Sequence, residues 1–297
     1  MATLESLRRN LDRTRDLKTV VKTMKSIAAV NVRHYEKAVD SVNEFSKIVE
    51  LGLRALLFDR TVPAQDEETA SSGAIGLIVF GSDQGMCGSF NEQIMAYLAS
   101  YIKEGAADRA ATALAVGERV VPYLKETGIF TEGPINLPGS PDAVTWSVQE
   151  ILLKVDAWRR EGKVGRVEIF HNRPETGASF RPFRQTLIPV DPSWLREIRE
   201  KPWPGRSLPV HTMDFAGLFS SLVRQSLLVR LYRAFVESMA AENASRFASM
   251  QSAEDNIEER VGNLEATYRR ERQSSISEEL FDVIAGFEAL SEEKRGS

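Results

Sequence analysis

The chain has 297 residues, of which 42% are hydrophobic and 27% charged, and its formal net charge is −4. That is apolar material for one or two cores, without the basic excess that neutralising nucleic-acid phosphates requires. One cysteine excludes an internal disulfide and a cysteine-rich zinc site and fits a reducing compartment. The opening MATLESLRRNLDRTRD has neither the apolar core of a signal peptide nor the acid-poor character of a transit peptide. No run reaches the roughly 18 to 20 apolar residues of a membrane span, so membrane association is expected only through partners.

Proline costs about 3 kcal/mol inside a helix and so marks where long helices can lie. All twelve prolines fall between Pro63 and Pro209, which leaves both ends free to be continuously helical. At the N-terminal end, Leu7, Thr14, Val21, Ala28, Tyr35, Val42, Val49 and Leu56 recur every seven residues. Leu4, Leu11, Leu17, Met24, Ala38 and Phe45 join them as a coiled-coil seam, with Gly52 as a position where the helix could break.

A linker-like stretch, QDEETASSG (65–73), leads to GAIGLIVFGS (73–82), a short apolar run ending in glycine that reads as a buried parallel strand. GSDQGMCGSFNE (81–92) follows and has the look of an active site. It lacks the lysine of a phosphate-binding G-x-x-x-x-G-K-[ST] loop, and Gly81, Gly85 and Gly88 do not fit G-x-G-x-x-G. His34, His171 and His211 are scattered, so Cys87 has no local base and the histidines have no metal-ligand spacing. Cys87 reads as a packed small hydrophobe, and the stretch as a turn presenting backbone and polar groups to another protein. No catalytic residue, cofactor or metal is expected.

The next segment, SFNEQIMAYLASYIKEG, has helical spacing with Ser89 and Glu92 as a capping-box pair. ATALAVG (111–117) reads as a second strand, ERVVPYLKETG as a short helix with Pro122 in its first turn, and TWSVQEILLKVDAWRREG (145–162) as a longer one. VGRVEIFHNR and FRPFRQTLIPVD are strands close enough to pair, and DPSWLREIREKPWPGRSLPVHTMD (191–214) is a meandering return. The C-terminal end resumes the heptads with Phe215, Leu222, Val229, Val236, Asn243, Met250, Ile257 and Leu264. It then shifts phase to Ile276, Leu280, Val283, Ile284, Phe287 and Leu290, a stutter or a change of packing partner; Gly217 and Gly262 are further possible breaks.

A helix over residues 3–58 would be about 85 Å long. A compact chain of this length is roughly 50 Å across. The expected fold is therefore α/β with a long antiparallel coiled coil of N- and C-terminal helices (1–60 and 210–290) and an inserted small Rossmann-like α/β domain (73–191). A bundle of shorter, broken helices is the alternative. On the residues alone, a coiled-coil scaffold protein with an α/β head and a stand-alone α/β enzyme using the 81–92 loop are the alternative functions.

Four stretches in order carry a family resemblance. TVVKTMKSIAAVNVRH, SDQGMCGSFN, LYRAFVESMAAENASRFASMQSAEDN and YRRERQSSISEELFDVIAGFEAL resemble the corresponding motifs of the gamma subunit of F-type ATP synthases. Gln84 stands where that family usually has arginine, Ser89 where it has glycine, and Glu118 where a basic or neutral residue is common. The resemblance implies a non-catalytic rotor shaft coupling ion-driven rotation of a membrane c ring to ATP synthesis or hydrolysis in a ring of alpha and beta subunits. It also implies an epsilon-subunit partner and a peripheral seat on the cytoplasmic face of the bacterial plasma membrane. The subunit contacts it implies are Met24, Lys25, Asp83, Gln84, Cys87, Arg272, Gln273 and Glu278. The basic stripe Arg8, Arg9, Arg13, Arg15, Lys18, Lys22 and Lys25 reads either as a solvated face or as attraction to acidic loops of the ring.

Overall fold

The computed structural model describes residues 4–58, 74–106, 110–175, 179–207 and 212–295. The expected linker at 65–73 and His211 lie outside them. Helix α1 spans Leu4–Leu57 and the C-terminal helix α6 spans Phe215–Arg295, both unbroken. Gly52, Gly217 and Gly262 are therefore not breaks. Asp214 starts α6, its Oδ2 accepting the Gly217 N–H at 2.7 Å.

Between the helices run β1 (Ile75–Phe80), α2 (Phe90–Tyr101), β2 (Ala110–Val116), α3 (Val121–Glu126), β3 (Thr131–Ile135), α4 (Val144–Arg160), β4 (Arg166–Pro174), β5 (Phe180–Ile188) and α5 (Pro192–Glu200). β3 and α5 were not expected. β3 has no alternating apolar pattern and is recruited by pairing with β2 at the sheet edge. Asp191 caps α5 by accepting the Ser193 N–H at 2.8 Å, with Pro192 in the first turn. The capping box at Ser89 does not form: Ser89 gives α2 no side-chain cap, and its Oγ accepts from Gln93 Nε2 at 2.7 Å.

Contacts divide the chain into two compact units, residues 27–248 and residues 1–26 with 249–297. In the larger unit the sheet order is β3-β2-β1-β4-β5, parallel except for the β4–β5 pair. Both faces of β1 are buried, which explains its unbroken apolar run. Leu77 and Val79 pack with Ile94 and Leu98 of α2. On the opposite face Ile78 and Phe80 join a larger core with Val148 and Ile151 of α4, Leu53 and Leu57 of α1, and Phe235 of α6. Phe80 and Phe235 meet edge to face at 5.2 Å.

The first heptad column holds in both units. Leu7, Val21, Ala28, Tyr35, Val42, Val49 and Leu56 are all buried. The second column differs from expectation, because Leu17 and Phe45 are exposed. In the smaller unit the seven-residue series is Leu4, Leu11, Lys18, Lys25, and Leu17 lies about 100° off it. The two lysines are only partly exposed, and each reaches a carboxylate of α6: Lys18 pairs with Glu258 at 3.1 Å, and Lys25 with Glu254. Arg15 pairs with Glu265 at 2.6 Å. Partners descend along α6 as residues ascend along α1, so the helices run antiparallel.

Candidate subunit-contact surface

β1 ends where the strand order turns back, with β2 on one side and β4 on the other. Open α/β sheets leave a ligand crevice beyond the strand ends at such a point. In this chain α6 occupies that place. Cys87 is buried against Phe90 and Ala241, Ser245 Oγ donates to the Cys87 carbonyl at 2.6 Å, and Arg246 donates to the Gln84 carbonyl at 3.2 Å. Two further polar side chains of this stretch, Asp83 and Asn91, are used internally. Asp83 Oδ1 accepts the Glu118 N–H at 3.0 Å and Oδ2 the Leu137 N–H at 2.7 Å. Asn91 ties the loop's two ends, accepting the Ser82 N–H at 3.0 Å and donating to Ser82 Oγ at 2.8 Å.

Asp83 and Cys87 thus hold the loop on the chain's own elements, while Gln84, Met86 and Ser89 are exposed. Burial pushes the Cys87 thiol above its ordinary value, so it is a packed group with little thiolate, as its sequence setting indicated. Below the loop, Glu242 of α6 is 4% exposed and pairs with Arg246 at 2.6 Å. Burial pushes its carboxyl up to about 7; Arg246 opposes that rise and the nearby charge of Asp83 adds to it.

A second buried polar cluster had no signal in the sequence, because its members lie on β4 and α6. His171 Nε2 meets Glu237 Oε2 at 2.8 Å, and Arg173 Nε donates to the same oxygen at 3.1 Å. Burial holds the His171 imidazole below its ordinary value; burial also raises the Glu237 carboxyl, but His171 and Arg173 outweigh it and leave that group lowered. His171 is fully buried, flanked by Phe80 and Phe183, and the cluster joins strand to helix. Among the described residues no group of histidine, cysteine and acidic side chains could hold a metal.

In the smaller unit Met24 is half-buried beside Lys25, whose Nζ also donates to Gln251 at 3.1 Å. The basic stripe is therefore neither simply solvated nor wholly free for a partner: Arg15, Lys18 and Lys25 serve the helix pair, and Arg8, Arg13 and Lys22 are exposed. Arg272, Gln273 and Glu278 of α6 are exposed. So are Ile276, Leu280, Phe281, Val283 and Ile284, between 44% and 69%. Five large apolar side chains open to water within nine residues are the pattern of a surface that another protein covers.

The family model described as ATP synthase matches residues 3–290. The chain is 24% identical over 299 residues to an ATP synthase gamma chain of Nitratiruptor sp. and 27% identical over 318 residues to one of Synechococcus sp.. Each alignment covers 98% of this chain and 100% of the relative. Among solved structures, a chain of the OSCP/F1/c-ring part of the Euglena gracilis mitochondrial ATP synthase shares the fold with a TM-score of 0.66 at 17% identity, over 97% of this chain and 94% of that one. A chain of the central stalk/c-ring of the Tetrahymena thermophila enzyme matches with a TM-score of 0.53 at 15% identity, covering 79% and 99%.

Proposed function

The chain belongs to the ATP synthase family as a divergent gamma chain, and on that premise we propose how its parts divide the work of a rotor. It is the central-stalk subunit that couples rotation of the c ring to ATP synthesis or hydrolysis by the alpha and beta subunits, and it does no bond chemistry itself. The arms at 1–60 and 210–290 form the shaft, and the domain at 73–191, with the adjoining coil, meets the epsilon subunit and the c ring. No described helix is long and apolar enough to cross a membrane. The chain is peripheral, held through its partners, with its seat on the cytoplasmic face of the bacterial plasma membrane.

The observation that carries the shaft assignment is the exposed apolar run from Ile276 to Ile284 together with Arg272 and Gln273. An apolar run lets the shaft turn inside the alpha/beta ring without ion pairs to break, and a few charge-assisted contacts of about 1.5 to 3 kcal/mol act as catches that yield at each step. Met24, Lys25, Gln84, Arg272, Gln273 and Glu278 are the contact residues in this reading. Asp83 and Cys87 contribute by fixing the shape of the loop that carries Gln84. An asymmetric shaft presents a different face to each catalytic site and so shifts each toward a different nucleotide affinity.

Coexpression with the alpha and beta subunits tests this. A tagged chain is expected to bring down both in an ATP-hydrolysing complex, and replacing Leu280, Phe281, Val283 and Ile284 with serine is expected to lower the recovery several-fold. Recovery of neither subunit with the unaltered chain would overturn the reading.

A further inference from the structure

A concavity of about 190 Å³ in the larger unit lies among α1, β5, α5 and α6. Two arginines of α6, Arg230 and Arg233, line it three residues apart, so both point to the same side of the helix. Among the described residues no carboxylate stands within ion-pair distance of either. The one acid in the lining, Glu50, is paired with Lys201 at 3.5 Å. Arg233 Nε is buried without a hydrogen-bond partner. Arg230 is held in place, its guanidinium 4.2 Å above the Trp194 ring and its carbonyl accepting from Gln185 Nε2 at 3.5 Å. Burial lowers the affinity of Arg230 for its proton; the more distant charges of Asp191 and Glu50 oppose that lowering without forming an ion pair, and neighbouring Arg233 adds to it.

Two adjacent, partly desolvated cations with an unanswered N–H are costly unless something neutralises them. Water can accept one hydrogen bond but removes no charge. The hydroxyls of Ser46 and Ser226 and the amide of Gln185 add neutral donors around the arginines. A planar guanidinium matches the oxygens of phosphate two at a time. The volume lies below the roughly 300 to 1,000 Å³ of sites for drug-sized ligands, which excludes a nucleotide and suits a single tetrahedral ion.

We propose that this pocket binds a free tetrahedral oxyanion of the inorganic-phosphate class, held between Arg230 and Arg233. The site stands or falls independently of the rotor reading. It is tested by calorimetric titration of the full chain with inorganic phosphate at constant ionic strength, with acetate as the planar comparator. Saturable binding of one phosphate per chain is expected, weakened at least about tenfold by Arg233→Met and by Ser46→Asp. The second variant keeps both arginines and adds a carboxylate at a half-buried position in the same lining, so it carries the test if Arg233→Met fails to fold. Absence of saturable binding, equal binding in both folded variants as for an adventitious ion, or acetate binding as tightly as phosphate would each overturn the proposal.

Discussion

Glu242 should make the chain less stable as pH rises through the neutral range, and Glu242→Gln should remove that loss. The carboxyl is 4% exposed, and burial raises it from 4.5 in the unfolded chain to about 7 despite its pair with Arg246. A folded-state pKa above the unfolded value means that the native chain holds the extra proton between about pH 4.5 and pH 7. Stability is therefore lost as pH rises through that window. Integrated from about pH 5 to about pH 8, the loss is about 2.5 kcal/mol. His171 works in the opposite sense: its imidazole is lowered in the native state, so its contribution is lost as pH falls below the unfolded value of 6.5. It titrates alike in both proteins and cancels when they are compared. Urea unfolding of the full chain and of Glu242→Gln across this range is the assay. The difference should grow by about 2.5 kcal/mol in favour of the variant toward high pH. A constant difference would show that Glu242 is already ionised at pH 5 and that the pair with Arg246 outweighs its burial.

Gly81→Ala should destabilise the domain by about 1 to 3 kcal/mol. A Cβ there would come 2.2 Å from Cγ1 of the fully buried Val120, whereas Gly139→Ala, with nothing within 4 Å, is the neutral control; coincident urea midpoints would refute this. Met24→Lys adds a charge beside the Lys25–Glu254 pair on a half-buried position, and the assembled complex should then hydrolyse ATP with fewer ions pumped per ATP. Unchanged pumping would remove Met24 from the contact surface. The double variant Arg272→Ala/Gln273→Ala touches only exposed side chains, so its unfolding midpoint should match the parent while steady-state ATP turnover of the complex drops several-fold. Wild-type turnover would leave Arg272 and Gln273 as a solvated face.

The long helices and β1 could be read from the residues because their signals are local and repeated. A seven-residue column from Leu7 to Leu56 needs no partner to be visible, and a six-residue apolar run can only be buried on both sides. The errors lie where a neighbour decides. Leu17 was placed on the seam for being apolar, yet Lys18 and Lys25 hold those positions because Glu258 and Glu254 answer them from α6. The capping box at Ser89 and Glu92 matched a pattern, but Gln93 claimed the hydroxyl.

The sequence by itself determined that both ends are helical and that an α/β insertion lies between them, since each rests on periodicity or proline placement; the structure then showed the helices running unbroken through Gly52, Gly217 and Gly262. Only the tertiary structure decided that α6 fills the crevice beyond β1, that Asp83 turns inward, that Glu242 and His171 are buried, and that Arg230 and Arg233 lie half-buried in one concavity. Those properties depend on the distance between groups up to 162 residues apart, as at Arg246 and Gln84. Burial and charge pairing act through space, and a single chain read in order contains no record of which residues will share a low-dielectric neighbourhood.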